Sequence, residues 1–253
     1  MNALAPDTWR RLLRRAAADA VLSPLYGPLV GPATADDGCY VLGRIAQSLD
    51  GRIATTSGAS RWISGQQDIV HTHRLRALSD AVVVGAGTVR ADDPQLTTRE
   101  VEGPSPVRVV LDTDRRLDAR YRVFQEAPDT LLLCAADAPG GDHVGRAPVV
   151  RLPRAQAGLD IDAVLAALAA RGLRRVFVEG GGITVSRFLA AGALDRLHVT
   201  IAPLLLGSGI PAFTFPEAAN LAEGLRFDWS VHRVGDDLLV DIPLARQRPA
   251  RGA

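Results

Sequence analysis

The 253-residue sequence contains no lysine, so all 29 basic residues in the Lys+Arg count are arginine. That absence excludes a pyridoxal-phosphate Schiff base, a lysine-dependent aldolase, a Walker phosphate loop and a kinase. Arginine is left as the only strong cationic side chain for gripping phosphate, a task its planar fork suits. Such arginine usage is equally a product of genome composition, but the chemical exclusions hold either way. Cysteine is scarce too. Cys39 and Cys134 have neither metal-ligand spacing nor the density of a disulfide scaffold, and read as two buried cysteines in a reduced compartment. Net charge is nearly absent, at +1, which removes any global attraction to nucleic acid or an acidic membrane and makes anion binding a local matter. No long apolar run occurs; Val199–Phe215 is interrupted by Pro203, Gly207, Gly209 and Pro211. Arg10, Arg11, Arg14 and Arg15 interrupt the first apolar positions, unlike a signal peptide. The expectation is a cytoplasmic protein with one sizeable core, without nucleic-acid or membrane partners.

Three stretches are expected along the chain. Residues 1–38 form an arm, with an amphipathic helix over Asp7–Ala20 and a Pro/Gly-rich loop over Ser23–Gly38. Residues 39–245 form the main domain, and 246–253 an Arg/Pro-rich disordered tail. In the main domain, strand-like and helix-like segments alternate. Tyr40–Ala46, Ala81–Gly85, Val107–Asp112, Thr130–Cys134, Val149–Leu152, Val176–Val178 and Leu197–Ile201 read as strands. Ser64-Gly-Gln-Gln67 resembles a capping box opening a helix to about Leu78; Asp160 caps a second helix ended by Gly172, and a third covers Gly182–Ala191. Arg226–Arg233 and Leu238–Ile242, separated by Gly235-Asp236, suggest an antiparallel hairpin. The fold class is therefore α/β, with a central, mostly parallel mixed sheet flanked by helices and closed by a C-terminal antiparallel hairpin.

Two segments carry the chemistry. Val176-Phe-Val-Glu179 runs into Gly180-Gly181-Gly182 and then a helix, bringing close-approach glycines and a helix N-terminus together as a pyrophosphate site would. A tight structural turn would read the same way, and Val185 at the third glycine position argues against a Rossmann fingerprint. Gly85-Ala-Gly-Thr88 follows another strand, with Arg90 where the third glycine would stand. Arg76, Arg90 and Arg99 surround this second turn as candidates for a phosphate clamp, or as solvated surface residues. Trp62 at a loop edge packs into the core or stacks on a flat ring. His71 and His73 do not share a helix face, and no Cys/His cluster or G-x-S-x-G elbow supports a metal site or a serine hydrolase.

The segments together resemble the reductase domain of the bifunctional riboflavin-biosynthesis deaminase/reductase, a relative of dihydrofolate reductase. The resemblance is carried by Ala46-Gln-Ser-Leu-Asp-Gly51-Arg-Ile-Ala54, Ser60-Arg-Trp-Ile-Ser64, His73-Arg-Leu-Arg76, Asp80-Ala-Val-Val-Val-Gly85-Ala-Gly-Thr88, Asp92-Asp-Pro-Gln-Leu96-Thr-Thr-Arg99, Val109-Val-Leu-Asp112, Val178-Glu-Gly-Gly-Gly182 and Ala202-Pro-Leu-Leu-Leu-Gly207. It implies a dihydrofolate-reductase-like fold, usually homodimeric. It implies NADPH held by Ala46, Trp62, Thr88, Asp92, Thr113 and the run Gly181, Gly182, Ile183, Thr184, Val185, Ser186 and Arg187. Arg115 and Arg116 are candidates for the adenosine 2′-phosphate. Ser60, Arg76, Leu96, Arg99 and Glu179 would hold the substrate, the two arginines taking its ribose phosphate. The implied reaction opens the ribose of 5-amino-6-(5-phosphoribosylamino)uracil and delivers hydride to C1′. Asp50 and Glu179 are the acidic candidates for the accompanying proton, although Asp50-Gly51 also suits a plain turn.

The zinc-deaminase H-x-E and P-C-x-x-C elements are absent from this sequence, which keeps the undeaminated 2,5-diamino pyrimidinone open as the substrate. Gln47 stands where the family often has a small residue. A reductase of another heterocycle and a non-catalytic NADP sensor are the rival readings.

Overall fold

The computed structural model describes residues 4–33, 35–60 and 63–244. In chain order its strands are β1 (Tyr40–Ser48), β2 (Arg52–Thr55), β3 (Ala81–Gly85), β4 (Val107–Leu111), β5 (Thr130–Ala135), β6 (His143–Val144), β7 (Ala147–Leu152), β8 (Arg154–Ala155), β9 (Gly158–Leu159), β10 (Arg175–Glu179), β11 (Arg196–Ala202), β12 (Gly209–Pro211), β13 (Ser230–Val234) and β14 (Asp237–Pro243). The α-helices are α1 (Pro6–Leu13), α2 (Gly27–Val30), α3 (Gln66–Leu78), α4 (Ala86–Asp92), α5 (Ile161–Ala169) and α6 (Gly182–Ala190).

Ten strands form one sheet in the order β13-β14-β11-β1-β10-β3-β4-β5-β7-β6. From β11 to β7 every pairing is parallel; β14 and β13 at one edge and β6 at the other are antiparallel. The uninterrupted apolar runs sit at the centre. Ala81–Val84 and Val176–Val178 are wholly buried, as strands covered on both faces must be. On β1, Arg44 reaches Asp68 on α3, whereas a Cβ at the adjacent Gly43 would crowd Leu194. Successive residues of a strand face opposite sides, so a single charged residue enters an otherwise apolar strand on one side only.

Helix starts follow two different routes. Asp160 caps α5 as expected, accepting from Ala163 N at 2.9 Å. Ser64 does not cap α3: the N-cap is Gly65, without a side-chain cap, and its amide donates to Asp237 Oδ2 at 2.7 Å. A carboxylate distant in sequence thus replaces the local capping box.

The expected helix over Asp7–Ala20 is two pieces, α1 and a 3₁₀ turn over Ala17–Leu22. The break falls at Arg15, whose φ of 52° is left-handed. Its side chain pairs with Asp80 and donates to Ser79 O at 3.0 Å and Ala77 O at 3.3 Å, occupying carbonyls at the end of α3. Trp9 Nε1 donates to Glu102 O at 2.9 Å. Trp9, Leu12, Tyr26 and Leu29 join the hydrophobic core of the sheet. Tyr26 Oη also meets His71 Nδ1 at 2.8 Å, and His71 Nε2 meets His198 Nδ1 at 3.2 Å, a buried polar chain across α3 to β11. Burial pushes the pKa of both histidines down, so they stand neutral. Cys39 and Cys134 are buried and no disulfide joins them. Among the described residues, no helix is long and apolar enough to cross a membrane, and no cluster of His, Cys, Asp and Glu could hold a metal ion.

Candidate active site

A cavity of about 800 Å³ opens at the carboxyl ends of β1, β3, β4 and β10, where open parallel sheets place ligands. It is at the upper end of the ~300–1,000 Å³ range of small-molecule sites.

Its glycine wall is built by backbone crowding. Gly180 and Gly181 adopt φ of 62° and 70°, conformations that side chains rarely tolerate. A Cβ at Gly181 would stand 2.8 Å from Thr88 Oγ1, and one at Gly182 only 2.5 Å from Ala212 O and 2.9 Å from Pro211 O. Glycine therefore lets this turn lie against both the Thr88 turn and β12. No side chain caps α6, and Gly182, Ile183 and Thr184 of its first turn line the cavity. The Thr184 amide is bonded to Gly181 O at 2.9 Å, while those of Gly182 and Ile183, at the positive dipole end, suit a phosphate. Arg187, one turn further on, also lines the cavity. Its guanidinium donates to Leu159 O at 2.7 Å, and no described carboxylate pairs with it. Burial lowers its pKa without a compensating anion. An arginine desolvated beside an uncapped helix start, above glycines that a Cβ would fill, fits an anionic dinucleotide.

The strand that leads into this turn ends on a charge. Arg76 of α3 and Glu179 at the end of β10 pair as two forks, with Nε to Oε2 at 2.7 Å and Nη2 to Oε1, while Nη1 donates to Thr97 O at 2.8 Å. Their side chains are 9% and 14% exposed, so the pair is scarcely screened by solvent. Burial alone would raise the Glu179 pKa, but the charge and hydrogen bonds of Arg76, aided by Arg44 and His73, bring it below the ordinary carboxylate value. Arg44, in register with Glu179 on the neighbouring strand, lines the cavity. It pairs with buried Asp68, which also accepts from Thr200 Oγ1 at 2.7 Å, and its Nε is buried without a hydrogen-bond partner. Burial and the charges of Arg76 and Arg99 outweigh Glu179 and lower the His73 pKa to about 4.

A model of the RibD C-terminal domain family matches residues 39–238. The chain belongs to the RibD C-terminal domain family. It is 34% identical over 212 residues to the 2,5-diamino-6-ribosylamino-4(3H)-pyrimidinone 5′-phosphate reductase of Methanothermobacter thermautotrophicus, covering 80% of this chain and 96% of that protein. It is also 34% identical over 208 residues to the riboflavin biosynthesis protein RibD of Mycobacterium tuberculosis, covering 80% of this chain but 54% of the relative. Among solved structures, the deaminase/5-amino-6-(5-phosphoribosylamino)uracil reductase of Thermotoga maritima superposes with a TM-score of 0.69 at 30% identity. That match covers 82% of this chain and 57% of that one. The chain thus spans nearly all of the archaeal relative and about half of the other two.

Of the residues to which the resemblance to the RibD reductases drew attention, Ala46, Ser60, Thr88, Asp92, Leu96, Glu179, Gly181, Gly182, Ile183, Thr184 and Arg187 line this one cavity. Ser60 Oγ donates to Asp92 Oδ1 at 3.0 Å, and Leu96 is buried with a left-handed φ of 57°. Arg76 stands behind Glu179, spent on it and on Thr97. Arg99 is exposed beyond Leu96, its Nη1 3.4 Å from Thr97 Oγ1. Val185 and Ser186 lie on the core side of α6, Ser186 Oγ accepting from Thr214 N at 2.9 Å. Thr113 falls outside the lining, where Leu111 stands instead. Arg115 donates to Gly141 O at 2.8 Å, and Arg116 pairs with Asp114 at 3.0 Å. Trp62 lies outside the described residues.

Asp50 also falls outside the lining. It accepts from Ser48 Oγ, from Leu206 N at 3.1 Å and from Gly207 N at 2.6 Å, and these bonds lower its pKa to about 2. Both carboxylates considered as proton sources are therefore ionised at neutral pH. Arg44 was missed by the motif reading. Its signal was a charge in the middle of an otherwise apolar strand, Tyr40-Val-Leu-Gly-Arg44-Ile-Ala46.

Proposed function

We propose that this chain is an NADPH-dependent reductase that opens the ribose of a phosphoribosylaminopyrimidine and reduces C1′ to the ribityl chain, in riboflavin biosynthesis. The observation that carries this reading is that one cavity is lined by the uncapped α6 turn, by Arg187 and by the Glu179 carboxylate that Arg76 holds from behind. An anionic cofactor would lie against the α6 turn and Arg187, and a polyhydroxyl sugar would donate to the Glu179 carboxylate. The cofactor, when bound, supplies the hydride. The residues of the chain supply alignment. Gly181 to Thr184 and Arg187 would take the pyrophosphate, Thr88 and Asp92 the neighbouring cofactor groups, and Arg99 the ribose 5′-phosphate. Ionised Glu179 would accept hydrogen bonds from ribose hydroxyls and orient them, leaving water to supply the proton for ring opening.

5-Amino-6-(5-phosphoribosylamino)uracil is the first substrate to test. The undeaminated 2,5-diamino pyrimidinone phosphate is the second, favoured by the name of the archaeal relative that the chain spans almost end to end. NADPH oxidation is expected with one of the two. Arg99→Ala should raise its KM about 10- to 100-fold, the ~1.5–3 kcal/mol of a charged hydrogen bond. Tight NADPH binding without turnover of either pyrimidine would leave a nucleotide-binding protein and defeat the reading.

The same reading has two copies joined in a cytoplasmic homodimer. Support comes from β13, the edge strand of the sheet among the described residues, and the segment leading into it. There Leu225, Phe227, Trp229 and Val231 alternate with polar residues, all of them exposed. Sedimentation should show about twice the 26.8 kDa of one chain, and Trp229→Glu should halve it. A wild-type monomer at assay concentration would exclude the dimer.

A further inference from the structure

The stretch 96–100 carries both Leu96, which lines the cavity, and Arg99, and it has no regular structure of its own. Its backbone is held by α3 at two points one turn apart. Arg76 Nη1 donates to Thr97 O at 2.8 Å, and His73 Nδ1 accepts from Arg99 N at 3.0 Å, with Glu100 N at 3.5 Å. Thr98 N is tied separately to Ser105 Oγ at 3.0 Å. His73 itself is buried, 1% exposed, so its ring has a fixed place. An imidazole nitrogen that accepts from an amide carries no proton, which puts the ring proton on Nε2. The Arg99 side chain, by contrast, is half exposed and among the described residues meets only Thr97 Oγ1 at 3.4 Å and Glu100 at 3.9 Å. Its guanidinium is thus placed by its backbone rather than by its own partners. The charged groups around His73 are Arg76 on the same helix, Arg99 and Glu100 on the stretch above it, and Glu179 on β10.

We infer that His73 is a positioning residue for substrate: by accepting the backbone N–H of Arg99, its Nδ1 sets where the Arg99 guanidinium meets the ribose phosphate. This rests on the phosphate role proposed above for Arg99. Without the acceptor, the Arg99 amide is left unpaired against a buried wall, and the stretch relaxes away from α3. That costs substrate affinity while the cofactor wall, built from β10 and α6, stays as it is.

The test compares His73→Leu, His73→Asn and Arg99→Ala, reading KM for the phosphorylated pyrimidine, kcat and the Kd of NADPH. Asparagine can place its carbonyl oxygen where Nδ1 stood; leucine offers no acceptor. His73→Leu should raise KM about tenfold with NADPH Kd unchanged, and His73→Asn should recover most of that loss. In an Arg99→Ala background, His73→Leu should add little further, because the two changes remove one function. An unchanged KM in a folded His73→Leu, or full additivity with Arg99→Ala, overturns the positioning role. If Arg99→Ala alone leaves KM unchanged, the phosphate reading itself has failed and takes the inference with it. Should the leucine variant not fold, His73→Gln replaces it, since its oxygen reaches the Nε2 position instead. Equal KM values for Gln and Asn would then count against the inference.

Discussion

Replacing Arg76 by methionine is expected to cost about 3–5 kcal/mol of folding stability and to reduce kcat/KM more than a hundredfold. The stability loss comes from Glu179. Its carboxylate is almost wholly enclosed and is kept ionised by two bonds from Arg76. Remove the guanidinium, and only the charge of Arg44 is left to offset the burial that opposes ionisation. The catalytic loss follows because the same substitution frees Thr97 O and with it the substrate stretch.

The pH dependence should change sign as well. In the wild type the folded pKa of Glu179 lies below its unfolded value. The group's contribution is therefore complete above the unfolded pKa and disappears as acid takes the pH down through the folded one. In Arg76→Met, desolvation should carry the folded pKa above the unfolded value. Its penalty then grows as the pH rises through that higher pKa, and the variant is relatively better off in acid. Urea unfolding from about pH 3 to 8 reads both slopes, the wild-type one at the acid end. Adding Glu179→Gln to Arg76→Met should restore part of the stability at neutral pH, and none of the activity. A single variant within about 1 kcal/mol of wild type would show that water screens the pair after all.

Gly182→Ala is expected to weaken NADPH binding about a hundredfold, roughly 2.7 kcal/mol. The added methyl would stand 2.5 Å and 2.9 Å from the carbonyl oxygens of Ala212 and Pro211, backbone atoms that can yield only by moving β12 or the start of α6. Either movement shifts the amides offered to the cofactor. Gly141 supplies the control. It lies outside the cavity lining, and a Cβ there meets nothing within 4 Å, so Gly141→Ala should leave Kd within about threefold. Fluorescence titration of NADPH compares the three proteins. Equal affinity for Gly182→Ala and wild type would remove the α6 turn from the cofactor site.

Much of the scaffold was legible along the chain, because its signals are local. Ala81–Gly85 and Val176–Val178 read as doubly covered strands since an uninterrupted apolar run has no polar face to expose. Asp160 announced its helix because a cap acts within three residues. Gly181 and Gly182 marked a close approach without showing what is approached; Thr88 Oγ1 and the carbonyls of Pro211 and Ala212 came from the structure. The Ser64 capping box and the long N-terminal helix were misread for the same reason in reverse. Each obeyed a local rule that a distant carboxylate, Asp237 or Asp80, overrode.

By itself, then, the sequence determined the alternation of strand and helix, the two glycine turns, and an anion chemistry that must run on arginine without lysine. Those follow from spacing and residue type. Only the tertiary structure decided which charges meet. Arg76 finds Glu179 across 103 residues and Arg44 finds Asp68 on another element, while Asp50, equally acidic and in an equally suggestive motif, turns to the amides of Leu206 and Gly207. A carboxylate's role depends on its desolvation and its partners. Both are properties of the packed sheet, absent until β10 slots between β1 and β3 and brings the ends of the strands together.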